Sequence, residues 1–204
     1  SKLRYAFGGL HRIADYNLTP ALNALAKNIQ KTDEENPVGK RHILLSKYRH
    51  TVTGFHFNRN YPFNVVLRTS THAVIDRDNL SAAVHIPHLN TEIDLLNIQR
   101  LPYFRLIVSL GAVSDLKCDK NGMYAPVVEE MHGISQTVTG EWIPSESVLA
   151  EQTIEVKLNE RYILLLTDDV SLVVSIAVEF GKVGFTGEPQ AVKYAGSGKV
   201  LVCG

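Results

Sequence analysis

The chain has 204 residues, 45% of them hydrophobic, and its 21 basic and 21 acidic residues cancel to zero formal charge. A chain of this size and composition buries a full core without disulfides or metals, as one domain or one domain with an appendage. The neutral balance argues against binding to nucleic acid or to an anionic membrane, because both select basic proteins.

Charge is nevertheless distributed unevenly along the chain. Residues 1–60 hold 10 Lys or Arg against 4 Asp or Glu, whereas residues 61–204 hold 11 against 17. This asymmetry predicts either attraction between a basic N-terminal part and an acidic body within one fold, or a docking face for a partner.

The cysteines, the apolar runs and the first residue limit the possible compartments. Cys118 and Cys203 are the only cysteines, and neither lies in a C-x-x-C or other metal-ligand spacing. No run approaches the roughly 18 apolar residues of a membrane span, so a soluble protein is expected. Because the sequence begins at Ser1 without Met, it leaves open a trimmed export signal, and it also leaves open a disulfide between the two cysteines.

The first predicted element is a helix from Thr19 to about Lys31. Thr19 is the predicted N-cap and Pro20 the first helical residue. The apolar residues that recur on one face are Leu22, Leu25, Ala26 and Ile29. So narrow a stripe is stable only when packed, either on the body of the protein or on a partner chain.

A charged segment rich in helix breakers follows this helix and predicts a solvated linker over Thr32–Arg41. The predicted organisation is therefore an N-terminal arm over residues 1–54, carrying one amphipathic helix, and a β-domain over residues 55–204.

In the β-domain the apolar pattern changes to period two, which predicts strands. The clearest are residues 104–110 and 172–180, each with one steadily apolar face. Residues 153–180 are predicted as three sequential antiparallel strands, the middle one covering residues 162–167. The pattern also predicts strands at 63–69, 80–86, 134–142 and 199–203, and a glycine turn at 196–198.

No long amphipathic helix separates these strands, which argues against a βαβ architecture. The predicted fold is mostly β: an antiparallel β-sandwich of immunoglobulin-like or fibronectin-like topology with a short N-terminal helical arm. Two long connections, residues 89–102 and 115–133, take up the remaining length.

Several motifs resemble catalytic or ligand-binding sites without meeting their requirements. The stretch Ala195–Lys199 lacks the early Gly of a phosphate loop, and Val200 stands where Ser or Thr must follow the Lys. His85 and His88 lie at a predicted strand end, where residues i and i+3 point to opposite sides, so no metal site is expected. No G-x-S-x-G elbow is present. No catalytic residue, metal or cofactor is therefore predicted.

Four aromatic residues are the candidate ligand-binding residues. Tyr61, Tyr103, Tyr124 and Trp142 lie near predicted strand ends or in loops, where an exposed ring can stack on a sugar. The alternative for Trp142 is a place between the two sheets.

Three short stretches carry a family resemblance. Gly54–Asn58, followed by Tyr61–Phe63, resembles a family of Bacteroidota proteins of unknown function, and the likeness recurs at Phe104–Ala112 and Val178–Phe180. The resemblance implies an N-terminal segment with a short helix before a β-rich body. It implies no activity and no site residues.

Three functional hypotheses follow. The first is a non-catalytic binding or structural module that contacts another protein, or a second copy, through the arm or a sheet edge. The second is carbohydrate binding by the four aromatic residues. The third is a hydrolase with a carboxylate or Ser/His site, for which Glu129, Glu130, Glu141 and Glu146 are the loop carboxylates.

Overall fold

The computed structural model describes residues 2–204. The α-helices are α1 (Leu3–Ala6), α2 (Leu18–Lys31), α3 (Phe63–Val66) and α4 (Thr91–Asp94), and 3-10 helices cover Gly8–Ile13, Leu45–Lys47, Arg49–Thr51, Glu129–Met131 and Glu160–Leu165. The strands are β1 (His72–Asp76), β2 (Ser81–Ile86), β3 (Leu89–Asn90), β4 (Tyr103–Ser114), β5 (Leu116–Cys118), β6 (Tyr124–Pro126), β7 (Ile134–Thr139), β8 (Ile143–Pro144), β9 (Val148–Leu149), β10 (Gln152–Lys157), β11 (Val170–Val183) and β12 (Pro189–Cys203).

Most strands belong to two antiparallel sheets. The small sheet has the order β1-β2-β10, and the large sheet has the order β12-β11-β4-β7, with β8 paired to the start of β4. The short ribbons β3-β9 and β5-β6 lie outside these sheets. The prediction of a mostly β protein with antiparallel sheets is confirmed, and the structure adds a few short helices within residues 55–204.

The first core lies between the two sheets. The alternate residues of β4 and β11 that the period-two pattern assigned to one face are buried here, among them Phe104, Leu106, Val108, Leu172, Val174 and Ile176. The small sheet contributes Val84, Ile86 and Val156. The predicted strand pattern is confirmed in both long strands.

A second core covers the other face of the large sheet. It joins N-terminal side chains, among them Phe7, Leu10 and Leu22, to Ile107, Val173 and Ala177 of the sheet. A Cβ on Gly111 would lie 2.0 Å from the carbonyl oxygen of Ala6, so α1 rests directly on the backbone of β4. The strands β4 and β11 are therefore buried on both faces.

Helix α2 packs on the body of its own chain, which was one of the two predicted placements. Its apolar stripe is buried in the second core at Leu18, Leu22 and Ile29. The predicted cap was wrong by two residues: the Asn17 side chain accepts a hydrogen bond of 3.0 Å from the Thr19 N–H, so the helix begins at Leu18. The predicted division at residue 54 stays a prediction, although Phe57 packs in this same core.

Three local predictions were wrong. Residues 63–66 form α3 and residues 160–165 form a 3-10 helix, because short apolar runs do not distinguish a strand from a helical turn. The predicted glycine turn at 196–198 lies inside β12. The Phe57 N–H donates to the Gly198 carbonyl at 2.8 Å, and a Cβ on Gly198 would lie 2.7 Å from the Phe57 ring. Glycine is required there by close packing, not by a turn.

The segment 54–57 covers part of the outer edge of β12. Gly54 N–H donates to the Val200 carbonyl at 3.0 Å, and Val200 N–H donates to the Phe55 carbonyl at 2.9 Å. At the start of the strand, Pro189–Ala191 pairs with β11 alone among the named strands. The large sheet thus has an edge that is covered at one end and open at the other.

Candidate functional site

A β-hairpin extends beyond the end of the large sheet. Tyr103, the first residue of β4, pairs with Gly181, and the following Lys182 and Val183 pair only with Gln190 and Pro189 of β12. The Gly184 N–H closes the turn by donating to the Glu188 carbonyl at 2.9 Å. Residues 182–190 are called the hairpin tip below.

The hairpin tip presents apolar side chains to solvent. Phe185 is fully exposed, at 110% of its reference area, and Val183 is 50% exposed. Lys182, Gln190 and Lys193 line a shallow cleft together with these two residues. The hairpin tip therefore exposes the Phe185 ring beside Lys182 and Lys193, on a hydrogen-bonded β-hairpin. Sequence reasoning missed it, although a large aromatic residue inside a glycine-rich turn is the signal that predicts it.

Tyr194 lies next to the hairpin tip in an unusual backbone conformation. The pairing of β11 with β12 shifts between Glu179↔Gly196 and Gly181↔Ala191, so four residues of β12 bulge out opposite Phe180. Within the bulge Tyr194 has φ +61° and its side chain is 62% exposed. A left-handed conformation costs a non-glycine residue about 1–2 kcal/mol and persists only where its surroundings impose it.

Trp142 does not lie between the two sheets. Its half-buried ring packs on Gly181, where an added Cβ would lie 2.6 Å from the ring. The Arg105 guanidinium carbon lies 4.3 Å from the ring centroid, and Arg105 is paired with Glu179 at 2.6 Å. The cation therefore occupies one ring face, which is unavailable for stacking on a sugar.

Of the other three predicted aromatic residues, Tyr103 lies close to Trp142, whereas Tyr61 and Tyr124 lie elsewhere. Tyr103 is paired with Gly181, beneath the Trp142 ring. Tyr61 lines a small cavity together with Tyr194 and with Phe180, a residue of the first core. Tyr124 lies elsewhere, where its hydroxyl donates to the Arg41 carbonyl at 2.8 Å and contacts Gln30.

A basic cleft adjoins Tyr194. It is lined by His11, Arg12, Tyr16, Lys193 and Tyr194, together with Asp15 and Asn17. The Asp15 carboxylate accepts the backbone N–H groups of Arg59 and Asn60 at 2.9 and 3.0 Å. Since that carboxylate is already hydrogen-bonded to the backbone, the side chains left to meet a ligand are mainly cationic and aromatic.

Two glutamates, Glu92 and Glu146, share a cleft. Arg100 lines the same cleft, but both glutamates are exposed, whereas a catalytic acid is held in surroundings that disfavour its ionisation. Among residues 2–204 no three His, Cys, Asp or Glu side chains converge on a common metal position.

Asp115 is a buried carboxylate that serves a structural role. It accepts hydrogen bonds from the backbone N–H of Ser46, at 2.8 Å, and from the Ser46 hydroxyl. Burial raises the pKa of Asp115, while the Ser46 hydrogen bonds act in the opposite direction. These hydrogen bonds anchor the N-terminal segment to the end of β4.

Both cysteines are free thiols. Cys203 is buried at the end of β12, and desolvation raises its pKa to about 12. Nearby, the Arg49 and Arg77 guanidinium groups both donate to the Val170 carbonyl, at 3.1 and 3.0 Å. These arginines tie the N-terminal segment and the β1-β2 turn to the start of β11.

Comparison with protein-family models, with curated proteins and with solved structures found no match. The likeness to Bacteroidota proteins therefore stays a prediction. Within residues 2–204 no helix has the length and apolar character needed to cross a membrane.

Proposed function

We propose that the chain is a non-catalytic binding module, an immunoglobulin-like or fibronectin-like sandwich that contacts a protein partner through the hairpin tip. The strand order supports the fold. Lettered A to G in chain order, β1, β2, β4, β7, β10, β11 and β12 give sheets A-B-E and D-C-F-G. The constant-type immunoglobulin sheets are A-B-E-D and C-F-G, so only strand D changes sheets.

The full exposure of Phe185 carries the functional proposal. The Phe185 ring buries no surface within the fold, because it contacts water on all sides of a tip that backbone hydrogen bonds hold. Aromatic side chains are among the residues that contribute most to protein interfaces once a partner covers them. Lys182 and Lys193 line the cleft beside Phe185, and the exposed Glu188 lies in the same turn, which favours a partner with an apolar pocket and a polar rim.

The N-terminal arm is a weaker candidate for this contact. Its apolar stripe is already buried in the second core at Leu22 and Ile29. A partner would have to displace the large sheet to reach that stripe, whereas the hairpin tip is accessible without any rearrangement.

Site-specific photocrosslinking tests the proposal. A photoreactive phenylalanine is placed at position 185 in cells that express the protein, and at position 164 as a control, since Leu164 is 95% exposed outside the tip. A specific protein partner should crosslink at 185 alone. Binding of that purified partner should weaken by about tenfold or more in Phe185→Ala and stay unchanged in Leu164→Ala.

Identical crosslinks at the two positions, or equal affinities of the two alanine variants, would contradict the proposal. Sedimentation of the purified protein distinguishes self-association, which would appear as a dimer that Phe185→Ala dissociates.

Carbohydrate binding is the second candidate, and one observation favours it. The basic cleft places the exposed Tyr194 beside Arg12 and Lys193. The Lys193 ammonium lies 4.9 Å from the Tyr194 ring centroid and occupies one ring face, so an anionic sugar would stack on the other face and pair with the cations. A glycan array that includes sulfated and uronic-acid glycans should then show binding that Tyr194→Ala abolishes and Tyr124→Ala leaves intact. An array without hits contradicts this candidate.

A further inference from the structure

A pair of histidines lies on the exposed face of the small sheet. His72 of β1 and His85 of β2 are direct cross-strand partners, and their ring centroids are 4.8 Å apart with an interplanar angle of 43°. The sequence neighbours of His85, Val84 and Ile86, point into the first core, and His72 shares the face of His85 as its direct partner. By the alternation of strands, both imidazoles therefore point outward.

A carboxylate from the third strand lies beside this pair. The Glu151 Oε1 is 3.6 Å from the His85 Nε2. Glu151 precedes β10 by one residue, and Thr153 of β10 pairs with His85, so Glu151 is the diagonal neighbour of His85 on the same face. The side chains of His85 and Glu151 are 27% and 69% exposed, which leaves the group open to ions in solution.

These separations match those of ligands that share one metal ion. With Zn–N distances of about 2.0–2.1 Å, two imidazoles that bind one ion at angles between octahedral and tetrahedral have ring centroids about 4.5–5.2 Å apart. The observed 4.8 Å lies within this range. Under the same geometry a carboxylate oxygen lies about 3.4 Å from the histidine nitrogen, close to the observed 3.6 Å.

We propose that His72, His85 and Glu151 form a binding site for a divalent transition-metal ion such as Zn²⁺ or Ni²⁺. The two imidazoles lie side by side, and rotation of these rings and of the exposed Glu151 side chain brings the three ligands around the ion when it binds, since they do not surround one point in its absence. Water fills the remaining coordination positions. Imidazole and carboxylate are ligands that these borderline ions accept.

Metal binding is expected to cross-link the three strands of the small sheet. The ion links the edge strand β1 to β2 and to the start of β10, so the bound protein should be more stable than the free protein. The affinity should fall as the pH is lowered, because a protonated imidazole cannot bind a metal ion.

Titration with ZnCl₂ and NiCl₂, followed by calorimetry, tests the site in a Cys118→Ser background that removes the more accessible thiol. His72→Ala and His85→Ala should each weaken binding by about tenfold or more, because the second imidazole of a chelate acts at a high effective concentration. Glu151→Gln should weaken it less. His88→Ala is the matched control, since it removes an exposed histidine near the site and should leave the affinity unchanged.

Two further measurements keep the outcome interpretable. Zn²⁺ should shift the imidazole nitrogen resonances of His72 and His85 and raise the melting temperature of the parent protein, but not that of the His72→Ala, His85→Ala double variant. Equal metal affinity in the parent and the double variant would overturn the proposal, as would binding that is lost only in His88→Ala. Neither result bears on the hairpin tip.

Discussion

The two cores on opposite faces of the large sheet are built in different ways. The first core joins alternating large side chains of regular strands, whereas in the second core short helical turns approach a strand face that carries Ser109, Gly111 and Ser175. The Ser109 hydroxyl donates to the Phe7 carbonyl at 3.0 Å, and Gly111 admits the backbone of α1. Small and polar residues on a strand thus mark close backbone approach here, not exposure to solvent.

Truncating one buried phenylalanine in each core compares the contributions of the two cores to stability. These substitutions should lower the free energy of unfolding more than any other described here. Phe104 and Phe7 are both fully buried, so Phe104→Ala and Phe7→Ala should each cost about 3–5 kcal/mol. Urea unfolding measures that cost. Hydrogen exchange should show global loss of protection in Phe104→Ala, but loss confined mainly to residues 2–57 in Phe7→Ala. The same exchange pattern in both variants would show that the two cores unfold as one unit.

Adding a methyl group at Gly111 tests the close approach beneath the second core. The added Cβ would meet the Ala6 carbonyl oxygen, which is backbone and cannot rotate away, so Gly111→Ala should cost at least about 1–3 kcal/mol and make the N-terminal segment more sensitive to protease. Gly9→Ala is the control, because a Cβ there meets nothing within 4 Å. Equal stability of the two variants in urea would contradict the packing described.

The pH dependence of the Asp115 anchor should be smaller and has a defined sign. Because burial raises the folded pKa of Asp115 above 3.8, its contribution to stability is full below that value and is lost as the pH rises through the folded pKa. The free energy of unfolding of the wild type, minus that of Asp115→Asn, should therefore fall as the pH rises from 3.8. A difference that is constant or grows with pH, in a urea series at several pH values, would contradict this sign.

The smallest expected effect is a difference between the rates at which a thiol reagent labels the two cysteines. Cys203 is buried with a pKa raised to about 12, whereas Cys118 is only half-buried on the short strand β5. A thiol reagent should label Cys118 in the native protein and Cys203 only after unfolding, because the thiolate is the reactive form. Mass spectrometry of the labelled peptides measures the order, and early labelling of Cys203 would show that the end of β12 opens readily.

The sequence predicted the fold wherever a pattern was long and regular. The alternation in β4 and β11 and the apolar stripe of α2 each extend over several repeats, so chance matches are few. Residues 63–66 and 160–165 are short apolar runs whose helical turns depend on the surrounding chain. The strand at Gly198 was missed because glycine is needed there to make room for the Phe57 ring. No local sequence pattern predicts a contact between residues so far apart in the chain.

The predicted binding residues were chosen by residue type and predicted exposure, and only Tyr103 and Trp142 of the four lie side by side in the structure. Tyr124 contacts the N-terminal segment at Arg41, whereas the Trp142 ring packs on Gly181 of β11. The cross-strand pairing of His72 with His85 could not be predicted, because residue register in a hairpin follows from the turn at Arg77–Leu80 and not from the spacing of two histidines.

The cover that residues 54–57 give to β12 also bears on aggregation. Edge strands with free N–H and C=O groups are templates for pairing with other molecules, and natural proteins cover or interrupt them. Here the N-terminal segment covers the inner half of the edge, while Pro189, which has no N–H to donate, interrupts the outer half. Proteolytic loss of residues 2–57 would therefore leave a molecule with both an apolar sheet face and a free strand edge, a combination that favours aggregation.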